Sequence, residues 1–163
     1  MKRLNVTFGI ILLVLGCFAF SPTAKADPAP RPTPPPRPEG PPIVGTWHVQ
    51  VFFDPGHTQL LFESYKQWHR DGLEFESANL GPGVLCVGTW QQMSRNMVSL
   101  YHVGWTYGSP AGTYRFVWTE TETVSSDGNS YDGAGQITYY DQSGNQVGDP
   151  LPTYPHATRL PPQ

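Results

Sequence analysis

Histidine and acidic side chains concentrate in one short stretch, residues 67–76, which reads QWHRDGLEFE. A histidine beside a carboxylate can pass a proton to or from a bound molecule, and the same groups can bind a metal ion. Taken as a two-residue turn, Asp71-Gly72 would place His69 directly opposite Glu74 on adjacent strands, with Cβ atoms about 4.5–5.5 Å apart. The stretch is therefore either an acid–base site or a charged hairpin.

Successive side chains of a strand point to opposite faces, and the sequence alone does not tell whether the face that carries this pair points inward or to solvent. In that register Trp68 and Phe75 share one face, and the other face carries Gln67, His69, Glu74 and Glu76. If the aromatic face fills the core, the His69–Glu74 pair meets solvent and stabilises the hairpin by only about 0.2–1 kcal/mol. If the polar face lines a cavity, the pair could transfer protons to and from a ligand.

Further candidate ligand-binding residues lie in two later strand-like runs. His102 lies on the strand face opposite to Tyr101, Val103 and Trp105. The glycine at position 104 indicates a bend in the strand or a close approach by a ligand or a neighbouring chain. One face of the next run passes from aromatic to acidic residues, which suits a pocket with a polar mouth and equally a core strand that ends in solvent. The candidate ligand-binding set is His69, Glu74, His102, Trp105, Tyr114, Trp118 and Glu120, with His69 and Glu74 catalytic if the protein is an enzyme.

A metal site and a cofactor are not expected from these residues. A metal ion needs three or four converging ligands, and the chain has no local HxH or HExxH spacing. His69, Glu74, His102 and Glu120 could supply ligands only if several strands turned them inward together. Cys86 shares a strand face with Val84 and Gly88, which is typical of a small buried residue rather than a reactive thiol.

The candidate residues are carried by short runs rich in Val, Thr, Tyr, Phe and Trp, separated by Gly, Asn, Asp and Pro. Eight antiparallel strands joined mostly to their neighbours predict an all-β, up-and-down barrel, with a two-sheet β-sandwich as the alternative. The predicted strands are 44–53, 58–69, 73–77, 84–91, 97–107, 112–124, 130–140 and a broken last strand that ends near 156–160.

The chain before residue 43 predicts export and tethering. Residues 1–26 have the form of a secretory signal, with an uncharged apolar run at 8–20 and a small-x-small triplet before Asp27. Residues 27–42 are mostly proline and favour an extended spacer, which leaves 43–163 as the barrel domain. We expect a periplasmic or secreted protein without a membrane span after signal removal; a lipid anchor on Cys17 is an alternative.

Signal removal makes the protein distinctly acidic. Three of the ten Lys and Arg residues precede position 27, whereas all thirteen Asp and Glu residues follow it, so the net charge becomes 7 − 13 = −6. An acidic chain without a basic stripe is a poor nucleic-acid ligand. Only Cys86 then remains, so the domain cannot form an internal disulfide.

Several motifs resemble those of known barrel proteins. Gly45-x-Trp47 near the start and Arg159 near the end are similar to the lipocalin and calycin pattern, which implies that Arg159 lies across Trp47 and closes the barrel. The interior motifs resemble small secreted bacterial lipocalin-like proteins of unassigned activity. These motifs are Trp68-His69-x-Asp71-Gly72-x-Glu74, Cys86-x-Gly88-x-Trp90, His102-Val103-Gly104-Trp105 and Ser126-x-Gly128-Asn129-x-Tyr131.

Three functions are compatible with this sequence. The first is binding of a small apolar or amphipathic molecule in the barrel. The second is a cofactor-independent isomerase, cyclase or lyase that uses His69 and Glu74 as an acid–base pair. The third is a structural envelope protein whose barrel is filled by its own side chains. Fold analogy alone does not choose among them.

Overall fold

The chain forms eight β-strands in the computed structural model, which describes residues 41–80, 85–108 and 110–161. No helix capable of crossing a bilayer occurs in these three ranges. The proposed signal at 1–26 and most of the proline-rich segment lie outside the described residues. The strands are β1 (Gly45–Phe52), β2 (Leu60–Trp68), β3 (Leu73–Ala78), β4 (Leu85–Gln92), β5 (Met97–Trp105), β6 (Arg115–Val124), β7 (Ser130–Tyr140) and β8 (Gln146–Arg159).

Each strand pairs antiparallel with the next one along the chain, and β8 pairs with β1 to close the sheet. This closure confirms the predicted all-β, eight-stranded up-and-down barrel, and the sandwich alternative is wrong. The largest difference in bounds is in β8, which runs unbroken through Pro150, Pro152 and Pro155. Closure leaves no free sheet edge that must be protected from other chains.

Aromatic residues plug one end of the barrel. Trp47 and Tyr131 meet edge to face with ring centroids 4.8 Å apart, and the ring centroids of Trp68 and Trp90 are 6.0 Å apart. The Arg159 guanidinium lies 4.0 Å from the Trp47 ring centre and donates hydrogen bonds to backbone carbonyls, including Val44 O at 2.8 Å. Such a cation–π contact contributes about 0.5–2 kcal/mol and holds the last strand against the first.

The hairpin at residues 69–73 has a different register from the one predicted. His69 N–H donates to Leu73 O at 2.9 Å, Gly72 N–H donates to His69 O at 3.2 Å, and Gly72 has a φ of 89°. These features define a three-residue loop, a turn followed by a left-handed glycine, rather than a two-residue turn. The extra residue shifts the pairing by one position, so Glu74 lies opposite Trp68 and the predicted His69–Glu74 pair is wrong.

The shifted register also changes which side chains share a face. The face that points into the barrel carries Lys66, Trp68, Glu74 and Glu76, all at most 2% exposed. His69 and Phe75 lie on the outside, where their rings are 5.3 Å apart. Neither of the two predicted faces therefore exists in the barrel, because each combined inward and outward residues.

Candidate functional site

Ionisable side chains fill the middle of the barrel. They come from alternate positions of β2, β3, β5 and β6, and each is at most 4% exposed. Four carboxyl groups face a single buried ammonium among the described residues. These charged and polar core residues, which we call the buried acid cluster, are Lys66, Glu74, Glu76, His102, Glu120 and Glu122.

Glycines on the neighbouring strands make room for three of the four carboxyl groups. Glu74 lies opposite Gly88, and Glu122 lies opposite Gly133. A Cβ atom on Gly88 would come within 2.7 Å of Glu74 Oε2, and one on Gly133 within 1.8 Å of Glu122 Oε2. Gly135 takes the same position opposite Glu120. A side chain at Gly88 or Gly133 would occupy space that a buried acid now fills. One at Gly135 would first meet the backbone oxygen of Thr119 at 2.2 Å and then Glu120 Cγ at 2.9 Å.

His102 connects two of the acids across the space that Gly88 leaves. Its Nδ1 lies 2.9 Å from Glu74 Oε2, at hydrogen-bond distance. Its Nε2 lies 3.4 Å from Glu76 Oε2, but makes no hydrogen bond within the described protein. The Ser64 hydroxyl donates to the other oxygen of Glu76. Glu74 and His102 are therefore joined by a hydrogen bond, and Glu76 lies next to them in the same buried row, 3.4 Å from the unpaired Nε2.

Lys66 supplies the positive charge of the cluster. Its ammonium group donates to Glu120 Oε2 and lies 4.1 Å above the Trp118 ring. Burial by itself would lower the pKa of Lys66, but the surrounding groups, Glu120 and Glu76 foremost, together outweigh burial and raise it well above its usual value. The lysine is thus a fixed cation.

Burial shifts the pKa values of Glu74, His102, Glu120 and Glu122 toward their neutral forms. It raises the pKa of Glu74 to about 7, against the attraction of Lys66, and does the same for Glu120. Burial and the adjacent Glu120 hold the pKa of Glu122 well above its usual range. Burial also lowers the pKa of His102 to about 4. The cluster therefore retains carboxyl protons and a neutral imidazole near neutral pH.

Several buried polar atoms of this layer have no hydrogen-bond partner within the described protein. Both oxygens of Glu122 belong to this set, as do one oxygen each of Glu74 and Glu120, His102 Nε2, Trp68 Nε1 and the Tyr131 hydroxyl. A buried polar group without a partner costs about 1–3 kcal/mol. Buried polar groups without a partner lower the stability of a protein and are found most often at its functional sites.

A cavity of about 240 Å³ lies at the end of the barrel opposite the aromatic plug. Its walls are mostly apolar, and its ionisable lining residues are Glu76 and Cys86 together with the tyrosines at 107 and 139. The rim is partly exposed at Leu80, Trp105 and Tyr107. The wall residues are Leu61, Phe62, Ala78, Phe116, Trp118, Ile137 and Tyr139. The cavity thus has apolar sides and reaches the buried acid cluster through Glu76.

A second, broader hollow of about 830 Å³ lies over strands β4 to β7. Its lining includes outward-facing residues such as Thr89, Tyr101, Thr119 and Gln136. Neither His102 nor Glu76 lines it. The inner cavity is therefore the one connected to the histidine and its two acids.

The structure brings together only part of the candidate set from the sequence. Glu74, His102, Trp118 and Glu120 lie inside the barrel, and Trp105 lies at the cavity rim. His69 and Tyr114 are exposed on the outside and do not line the inner cavity. The residues that sequence reasoning did not select are Ser64, Lys66, Glu76, Glu122 and Tyr131. Only Glu122 among them has a signal in the sequence, because Gly133 lies opposite it on β7. The other four do not lie opposite a glycine.

Comparison with known proteins adds no relative: no protein-family model matches the chain, and no curated protein is significantly similar to it.

Proposed function

We propose that the barrel binds a small amphipathic molecule in the 240 Å³ cavity, with its apolar part between the aromatic walls and its polar group near Glu76. The observation that carries this proposal is an apolar cavity whose floor is a buried carboxyl group. Pockets of this composition, mostly apolar with a few polar groups that fix orientation, are typical of small-molecule sites. A cavity of this size argues against a structural barrel filled by its own side chains.

The cavity volume limits the size of the bound molecule. The volume, about 240 Å³, has room for one small molecule. It also lies below the range of about 300–1,000 Å³ that is usual for drug-sized ligands. The favoured ligand is therefore smaller than a drug, for example one ring with a short polar substituent. Burial of its apolar surface would supply about 25 cal/mol per Å².

The charge of the floor selects the polar group of the ligand. Four carboxyl groups face one buried cation, Lys66, so the buried acid cluster becomes negatively charged as soon as a second acid ionises. A second anion near Glu76 would be repelled in this low-dielectric interior, whereas a hydroxyl or an ammonium group could donate a hydrogen bond. The ligand is therefore neutral or cationic, and an acid is disfavoured.

The cellular setting follows from the sequence. The export signal expected at residues 1–26 and the resemblance to small secreted lipocalin-like proteins support a periplasmic or secreted binding protein. The acidic charge beyond the signal argues against nucleic acid as a partner.

Three probes that differ mainly in their polar group test the proposal. Phenethylamine and phenethyl alcohol should raise the thermal unfolding midpoint of the protein, and phenylacetate should raise it less or not at all. Ala78→Phe fills the cavity from its wall and should abolish the shift. Tyr101→Ala, on the outer face, is the control and should leave it unchanged. The same shift in Ala78→Phe as in the unmodified protein would contradict a site in this cavity.

A second candidate function is proton transfer on the bound molecule, as in a cofactor-independent isomerase, cyclase or lyase. The buried row from Glu74 through His102 to Glu76, with spacings of 2.9 and 3.4 Å, ends at the cavity and favours it. These groups replace the His69–Glu74 pair as the acid–base residues. A bound molecule should then take up deuterium from heavy water, and Glu76→Gln should stop this uptake while binding persists. Uptake that is unchanged in Glu76→Gln would exclude this role.

A further inference from the structure

Three potential metal ligands from neighbouring strands meet at the cavity floor. Glu76 on β3 pairs directly with Cys86 on β4, and His102 comes from β5. One donor atom from each side chain lies within 4.8 Å of the others, and all three residues are at most 3% exposed. Gly104 leaves room for both the Phe116 ring and the sulfur, because a Cβ atom there would lie 2.5 Å from Phe116 Cε1 and 2.8 Å from Cys86 Sγ.

We infer that Glu76, Cys86 and His102 form a binding site for a divalent transition-metal ion, best matched by Zn²⁺. An independent observation supports a ligand at this point. The buried Nε2 atom of His102 has no hydrogen-bond partner in the described part of the chain and is directed toward Glu76. An imidazole nitrogen without a partner beside a carboxylate and a sulfur is a set of donors that zinc accepts.

The distances suit tetrahedral coordination. Ligands at about 2.0–2.2 Å from zinc in tetrahedral geometry are separated by about 3.4 Å for a nitrogen–oxygen pair. His102 Nε2 and Glu76 Oε2 are 3.4 Å apart. The sulfur would need to come within about 3.6 Å of each, given a zinc–sulfur distance of about 2.3 Å. Because all three donor atoms already lie within 4.8 Å, a small side-chain rotation suffices.

The groups behind the ligands have the arrangement of a metal site. His102 places its other ring nitrogen 2.9 Å from Glu74, and Ser64 donates a hydrogen bond to Glu76. Metal-bound histidines almost always have a carboxylate or carbonyl partner on the second nitrogen, and ligating carboxylates are hydrogen-bonded in turn. Both outer partners are buried and in place.

The choice of metal follows from the donor types and the local charge. One sulfur, one imidazole and one carboxylate suit zinc, whereas magnesium and calcium require oxygen ligands. Coordination releases the thiol proton of Cys86 to solvent, and the added positive charge offsets the excess of buried acids. Glu76 and Cys86 line the cavity, so the fourth coordination position faces the space proposed for the organic ligand. The metal site does not depend on that ligand, and it is an alternative to proton transfer by Glu76 and His102, because the same atoms would hold the ion.

Cobalt substitution tests the site directly. The protein is prepared with Cys17→Ser, so that Cys86 is its only thiol, and is freed of metal with a chelator. We expect one Co²⁺ or Zn²⁺ per chain, a thiolate-to-cobalt charge-transfer band, and a higher thermal unfolding midpoint on metal addition. Cys86→Ser should lose the band. His102→Gln should weaken metal binding more than tenfold, because loss of only an outer partner of a metal ligand already costs about 10–100-fold.

Two control variants distinguish this site from a partly exposed donor cluster and from the organic-ligand cavity. His57, Asp132 and His156 form another cluster of similar donors, which is partly exposed, so His156→Gln should leave the cobalt spectrum unchanged. Ala78→Phe should lose the organic probe but retain the metal, which distinguishes failure of one proposal from failure of the other. A cobalt spectrum without a thiolate band, or metal binding that His156→Gln abolishes and Cys86→Ser does not, would overturn the inference. The thiolate-to-cobalt band is recorded on the Cys17→Ser protein, which keeps Glu76, Cys86 and His102. The test therefore remains valid even if the Cys86→Ser or His102→Gln protein does not fold.

Discussion

Substitution of Gly133 by alanine should destabilise the barrel, although alanine usually favours a strand over glycine by roughly 0.5–1 kcal/mol. The new Cβ atom would lie 1.8 Å from Glu122 Oε2 and 2.9 Å from Thr121 O. The buried carboxyl group must then leave its position or the two strands must separate. Overpacking of this kind typically costs about 1–3 kcal/mol, and we expect Gly133→Ala to lower the free energy of unfolding by that amount.

A double-mutant cycle assigns this loss to the carboxyl group. In a Glu122→Ala background the shortest contact disappears and only the one with Thr121 O remains, so Gly133→Ala should cost at least about 1 kcal/mol less there. Gly135→Ala provides a contrast, because its Cβ atom would lie 2.2 Å from the backbone oxygen of Thr119. Truncation of a neighbouring acid should not rescue that variant.

Urea unfolding followed by tryptophan fluorescence measures these differences, with the slope of each transition checked for a change in the unfolded state. Equal losses for Gly133→Ala in both backgrounds would refute the claim that the glycine makes room for Glu122. Stabilisation by Gly133→Ala in the unmodified protein would refute it more strongly.

Three further predictions concern charge in and around the barrel. Burial raises the pKa of Glu120 from 4.5 to about 7 and holds that of Glu122 well above its usual range, so the folded state keeps protons that the unfolded chain releases. Their contribution to the free energy of unfolding should therefore fall as pH rises from about 4.5 to 7, by about 1.4 kcal/mol per pH unit for each group. In urea unfolding at several pH values, Glu122→Gln should lack the part of this pH dependence that Glu122 contributes. Lys66→Met leaves Glu120 without its cation and should lower the free energy of unfolding by about 3–5 kcal/mol. The double variant Lys66→Met with Glu120→Gln should regain part of that stability, and no gain would argue against a stabilising Lys66–Glu120 ion pair. His69→Ala, on the outer face, should lower the free energy of unfolding by about 0.5 kcal/mol or less and so hardly change the thermal midpoint. A loss of several kcal/mol would contradict the observed register.

The barrel fold could be predicted from the sequence because turn residues separate β-rich runs at short, regular intervals. The observed β6 and β7 (Arg115–Val124 and Ser130–Tyr140) fall within the predicted runs, since Asp127-Gly128-Asn129 marks the turn between them. The prolines near the end of the chain predict a broken last strand, because proline cannot donate to a ladder. In the structure β8 runs through its prolines and still pairs with both β7 and β1.

The site could be predicted only in part, because register decides which side chains face inward. Asp71-Gly72 fits a two-residue and a three-residue hairpin equally well in sequence, and a shift of one residue moves every side chain to the other face. The location of Lys66 and Glu76 in the interior also runs against the usual burial of apolar residues. By contrast, Trp118 and Glu120 do lie on one shared face as predicted, since strand alternation alone determines that relation.

Native mass spectrometry of the protein, purified without denaturation from the cells that make it, tests the central claim of small-molecule binding most directly. We expect a retained organic mass, neutral or cationic and smaller than a drug, that is lost on denaturation and absent from Ala78→Phe. Retention of the same mass by Ala78→Phe, or a polypeptide mass alone from every such preparation, would contradict binding in the cavity.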